Sequence, residues 1–115
     1  METKQAVLAL SALAQDTRLG IFRLLVQAGP QGMAAGQIGE KLDLAPATLS
    51  FHLAGLHRAG LAQSRHEGRF VIYSADFQAM NALVGFLSEN CCGGRECQPT
   101  TGEQNETPTR TRRRA

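Results

Sequence analysis

The run Asp43-Leu44-Ala45-Pro46-Ala47-Thr48-Leu49-Ser50-Phe51-His52-Leu53-Ala54-Gly55-Leu56-His57-Arg58-Ala59-Gly60 decides how this chain is read. Asp43 to Ala45 is a tight connection. Pro46 then suits the first position of a helix, where its missing N–H costs nothing. Leu49, Leu53 and Leu56 recur at i, i+4 and i+7, which predicts a helix over Pro46–Ala59 with one apolar face. Gly60 stops it. The opposite face is expected to carry Ala47, Thr48, Ser50, Phe51, His52 and Arg58, and none of these is a carboxylate.

On the N-terminal side, Ala34–Leu42 reads as a short helix with Ile38 and Leu42 facing inward. It follows the stop-and-turn cluster Gly29-Pro30-Gln31-Gly32. Arg18–Ala28 is a helix opened by Asp16 as N-cap, with Leu19, Phe22 and Val26 beside Ile21 and Leu25 in a broad stripe. Thr3–Ala14 is a further helix with Val7, Leu10 and Ala14 on one face. On the C-terminal side the period changes to two. Leu61–His66 and Arg69–Ser74 read as strands around a Glu67-Gly68 turn. Asp76 caps a fifth helix to about Asn90, striped by Phe77, Met80, Leu83, Val84 and Leu87. The order ααααββα is mainly α with a small β-hairpin (α+β): a winged helix-turn-helix. In that arrangement the second helix of the pair enters the major groove, and its N-terminal side chains reach base edges.

The charge pattern fits this placement better than the charge total does. The 115 residues carry a formal net charge of +2. Residues 1–98 balance, and the excess lies in Arg110, Arg112, Arg113 and Arg114 against Glu103 and Glu106. Between Leu44 and His66 there is no Asp or Glu, while Arg58, Arg65, His52, His57 and His66 all fall there and Arg69 follows. Such a stretch does not repel phosphates. The residues expected to meet DNA are Ala47, Thr48, Ser50, His52, Arg58, Arg65, His66 and Arg69. Phe51 fits either DNA or a place under the wing.

A chain of 115 residues suggests one small domain. We assign it to residues 1–98, and 99–115 are expected to form a disordered, Arg-rich tail because no large apolar residue anchors them. That tail either attracts phosphates without sequence preference or is simply a solvated terminus. No apolar run approaches the ~18 residues of a membrane span. The N-terminus lacks a secretory layout, so the cytoplasm is the expected location. With no Trp and one Tyr, stacking on single strands is a poor binding mode.

The run Leu44 to Leu53, followed by Leu56-His57-Arg58-Ala59-Gly60-Leu61, resembles the ArsR-type family of metalloid- and metal-responsive winged-helix repressors. So do the wing Arg65 to Ser74 and the early Ala14-Gln15-Asp16-Thr17-Arg18. The resemblance covers about residues 5–92. It implies a cytoplasmic homodimer paired through its first and last helices and bound to a pseudo-palindromic operator on double-stranded DNA. The apolar positions Val7, Leu10, Met80, Leu83, Val84 and Leu87 are then the dimer interface.

Three cysteines, Cys91, Cys92 and Cys97, lie within seven residues just past the fifth helix. An odd, clustered count does not suit a disulfide-stapled secreted scaffold. Adjacent cysteines rarely bridge one another, whereas three thiolates on a glycine-softened loop can converge on one soft ion. Three sulfurs suit As(III) or Sb(III), while zinc prefers four ligands. The vicinal pair with a third cysteine downstream resembles the arsenite-responsive branch whose site is C-terminal. The third-helix Cys-x-Cys-x-x-Cys of other members is absent, since Ala34, Gly36 and Gly39 stand at those positions. The Asp/His zinc set on the last helix is unmatched, with only Asp76 and Glu89 available. The expected function is therefore a repressor released by As(III) or Sb(III), controlling arsenic-resistance genes. A thiol-based redox sensor and a Zn/Cd sensor are the alternatives. A thiol oxidoreductase is a remote one, because these cysteines follow a helix C-terminus, whose dipole disfavours a thiolate. No enzyme activity and no catalytic cofactor are expected.

Overall fold

The structure, a computed structural model, describes residues 1–95. Cys97 and the proposed tail lie outside the described residues. Five helices and a three-stranded antiparallel sheet follow one another as α1 (Thr3–Leu13), α2 (Asp16–Ala28), β1 (Met33–Ala34), α3 (Ala35–Leu42), α4 (Pro46–Arg58), β2 (Ala62–Glu67), β3 (Phe70–Ala75) and α5 (Phe77–Ser88). A single 3-10 turn, Cys91–Gly94, comes last. Among the described residues, no helix is long and apolar enough to cross a membrane.

The core sits where the apolar stripes meet. Ile21 and Leu25 of α2, Ile38 of α3, Leu53 and Leu56 of α4, and Leu61 are almost wholly buried. Burying a side chain of this size contributes about 1.5–3 kcal/mol, so α4 is held chiefly by its leucines. Ala6 and Ala9 let α1 lie close to that core, and Leu83 anchors α5 on it.

Several local expectations are corrected. The helix α2 is capped by Gln15, not Asp16: the Gln15 side chain accepts the Arg18 N–H at 2.9 Å, and Asp16 begins the helix. The sheet has a third strand that the period-2 reading missed, because β1 is only two residues long. Met33 pairs with Tyr73 and Ala34 with Ile72, giving the order β1-β3-β2. Gly32 sets up that pairing. Its φ is +73°, and a Cβ there would run into the Tyr73 carbonyl. The hairpin closes one residue later than expected: Glu67 faces Phe70 across the turn Gly68-Arg69. Gly68, with φ of +61°, takes the first loop position, where a tight hairpin needs a left-handed residue. Asp76 caps α5 as read, its Oδ1 accepting the Ala79 N–H at 3.0 Å. The helix ends at Ser88, short of Asn90, which turns left-handed at φ 55°.

Candidate nucleic-acid interface and cysteine turn

The connection between α3 and α4 turns on Asp43, held at φ 55°. The Leu44 N–H bonds the Gly39 carbonyl at 2.9 Å, which brings α4 across the end of α3. Pro46 starts α4, and its carboxyl-end turn carries His57 and Arg58. Leu49, His52, Leu53 and Leu56 point into the protein. The exposed residues are Pro46, Ala47, Thr48, Ser50, Phe51, Ala54, His57 and Arg58. At 100° per residue, Ala47, Phe51, Ala54 and Arg58 lie along one line, with Ser50 and His57 beside it.

His52 is the main correction on this helix. It is only 9% exposed, and its Nδ1 lies 3.2 Å from Nη1 of Arg18 on α2. A guanidinium can only donate, so Nδ1 accepts and the ring proton sits on Nε2. The same Arg18 donates from Nε to the Ala12 carbonyl at the end of α1, at 2.7 Å. His52 therefore braces α4 against α2 and α1 instead of meeting DNA. Its spacing is compatible with this, because i+3 from Leu49 can join the buried stripe as i+4 does. Phe51, which the sequence leaves between DNA and a place under the wing, and His57, which it does not assign to DNA, both face outward. Phe51 is 66% exposed, and its ring meets the His52 ring edge-on with centroids 5.3 Å apart.

The wing residues divide. Arg65 is occupied: Nε pairs with Glu67 Oε2 at 2.7 Å, and Nη2 donates to the Gln31 carbonyl at 2.8 Å. It ties the wing to the turn before β1 and cancels the carboxylate nearest the hairpin tip. His66 and Arg69 are exposed, and among the described residues Arg58 and Arg69 make no ion pair.

On the far side, Val7 (55% exposed), Leu10 (41%), Val84 (59%) and Leu87 (61%) form the apolar surface of α1 and α5. Leu83 points inward and is buried by its own chain, and Met80 is half-buried, so these two belong chiefly to the protomer core. An open groove of about 410 Å³, lined by Leu13, Leu19, Phe22, Met80 and Val84 among others, continues this surface.

At the end of α5, Cys91 and Cys92 are exposed, with their sulfurs 3.9 Å apart. Asn90 and Cys92 are both left-handed, which is how the turn swings the pair clear of the helix. Cys92 is disulfide-bonded. Among the described residues, no group of three His, Cys, Asp or Glu side chains comes together.

A family profile described as a helix-turn-helix domain matches residues 13–65, which is the span from the end of α1 to the wing. The transcriptional activator HlyU of Vibrio cholerae is 32% identical over 88 residues, covering 76% of this chain and 79% of its own length. Its solved structure matches with a TM-score of 0.63 over 80% of this chain and 99% of that one. The reduced form of HlyU matches with a TM-score of 0.61 at 30% identity, over 78% and 92%. The homodimeric winged helix-turn-helix domain Mb0332 of Mycobacterium bovis, described as a possible ArsR-family regulator, matches at 26% identity with a TM-score of 0.60 over 83% and 88%. The chain belongs to the ArsR family of winged helix-turn-helix transcriptional regulators. Its relatives here are regulators and not enzymes. A cadmium resistance transcriptional regulatory protein, a CadC homolog of Staphylococcus aureus, is 34% identical over 73 residues, 64% of this chain and 59% of its own length. As a member, this chain is a DNA-binding transcriptional regulator.

Proposed function

We propose that the chain acts as a homodimeric repressor that leaves its operator when As(III) or Sb(III) is held by Cys91, Cys92 and Cys97, so controlling arsenic-resistance genes. The observation that carries this reading is the pair of adjacent cysteine sulfurs. Two exposed sulfurs lie 3.9 Å apart on a turn directly after α5. Val84 and Leu87 show that the same helix presents an apolar face that a second copy would cover. A ligand at this turn therefore acts at the end of the proposed dimer interface. The likeness to a cadmium resistance regulator favours a soft-ion effector, and the homodimer found for Mb0332 favours the two-fold form. Thr48 and Ser50 flank the helix start, and Arg58, His66 and Arg69 supply phosphate contacts. Release requires the ligand to prefer the form that does not fit the operator. A 100-fold preference is about 3 kcal/mol of coupling.

One observation favours a second reading. Cys92 is disulfide-bonded, so in this state its sulfur is not a thiolate that could hold an ion. A thiol–disulfide switch at the same turn would then set DNA binding. Fluorescence polarisation on an operator duplex separates the two. Arsenite added to the reduced protein should release DNA from wild type and not from Cys91→Ser. If Cys91→Ser lets go at the same arsenite concentration, the ion-binding reading is wrong. Release by a disulfide-forming oxidant in metal-free buffer, with no response to arsenite, supports the redox reading instead.

A further inference from the structure

We propose that Phe51 is the principal base-reading side chain of this regulator, and that it recognises the 5-methyl group of thymine in the major groove. The inference rests on α4 being the groove-entering helix, and goes beyond it to say which base that helix selects.

Phe51 is 66% exposed near the middle of α4, on the line of Ala47, Ala54 and Arg58. Between Pro46 and His57 the chain contains no Arg, Lys, Asn, Gln, Asp or Glu. The first three turns of α4 therefore hold none of the forked side chains that read guanine or adenine through paired hydrogen bonds. What they present outward is the methyl groups of Ala47 and Ala54, the Thr48 and Ser50 side chains and one phenyl ring. The thymine methyl is the one apolar group on the base edges of the major groove, and Ala and Phe side chains suit it.

The ring is also held in place. It rests edge-on against His52 at 5.3 Å and 69°. His52 is itself buried and fixed by Arg18. A ring braced from below loses little freedom on contact. The surroundings select DNA over an apolar protein partner. No carboxylate occurs from Leu44 to His66, while Arg58 and His57 on α4 and His66 and Arg69 in the wing are exposed. In the wing, Glu67 is paired with Arg65. This combination fits an apolar base edge flanked by phosphates.

The test uses full-length protein and a duplex enriched from a randomised library. Each thymine of the enriched half-site is replaced in turn by deoxyuridine, which differs only by the missing methyl. At one position per half-site, wild type should lose about four-fold in affinity, the equivalent of one buried methyl. Phe51→Ala should bind the thymine and deoxyuridine duplexes equally, while its dependence on salt stays that of wild type because phosphate contacts are untouched. Restoring the methyl as 5-methylcytosine at that position, against plain cytosine, should recover affinity for wild type alone. Equal binding of thymine and deoxyuridine duplexes by wild type overturns the proposal and leaves DNA binding standing. So does a deoxyuridine penalty that survives in Phe51→Ala. Failure to enrich any duplex sinks the operator-binding reading, and this inference with it.

Discussion

Replacing His52 tests whether the reading helix is held by a polar brace or by its leucines alone. In the structure, Nδ1 of His52 accepts from Arg18 at 3.2 Å while Arg18 also holds the Ala12 carbonyl at 2.7 Å. His52→Leu keeps apolar bulk at the site and removes the acceptor. Hydrogen bonds to a charged partner contribute about 1.5–3 kcal/mol. Arg18 is half-buried, so water replaces the lost acceptor in part, and the lower end, about 1.5 kcal/mol, is the expected loss. In a domain of this size each kcal/mol moves Tm by about 4–8 °C, so His52→Leu should melt about 6–12 °C below wild type. His52→Asn places an oxygen near the former Nδ1 and should recover part of that loss.

The assay is thermal unfolding followed by circular dichroism, at one protein concentration because any dimer makes Tm concentration-dependent. A double-mutant cycle with Arg18→Met isolates the pair: the two changes together should cost less than their sum by at least about 1 kcal/mol. If His52→Leu melts with wild type, or the cycle is additive, the brace contributes nothing and the burial of His52 is mere packing. The same variants should bind operator more weakly, since α4 loses its tie to α1 and α2.

Four further outcomes are expected. Leu10→Glu or Leu87→Glu places a carboxylate on the exposed apolar surface of α1 or α5 and should yield monomers by sedimentation; a dimer unchanged in affinity would exclude that surface as the interface. Arg69→Ala should lower the slope of log affinity against log salt by about one per bound copy, whereas Arg65→Ala should change it less, because Arg65 is already engaged by Glu67 and Gln31; equal changes contradict the division of the wing. Gly32→Ala forces a left-handed alanine against the Tyr73 carbonyl and should cost about 1–3 kcal/mol in a urea titration; wild-type stability would mean that β1 is not fixed by this turn. Truncation after Gln98 should weaken operator binding at low salt and keep sequence preference, and a lost preference would give the tail a reading role.

What the sequence revealed and what it hid follow from the range of each signal. Periodicity is local, so the leucine stripe of α4, the turn before Pro46 and the cap at Asp76 were legible from neighbours three or four residues apart. The strand β1 was not, because two residues carry no period and its existence depends on Tyr73 and Ile72, about forty positions away. His52 was misplaced for a related reason. Polar character argued for the surface, and the partner that makes burial tolerable, Arg18, lies thirty-four positions earlier. A buried polar ring is tolerated only when its hydrogen-bonding groups are satisfied, and satisfaction is a property of the fold. The inward facing of Leu83 is likewise a matter of which helix covers which side of α5. The exposure of Val7, Leu10, Val84 and Leu87, by contrast, could be foreseen. Val7 and Leu10 lie on α1, whose small inward residues Ala6 and Ala9 fill the space against the core, and Val84 and Leu87 lie on α5, where Leu83 fills it. Apolar side chains left over on a small domain need a second surface to cover them.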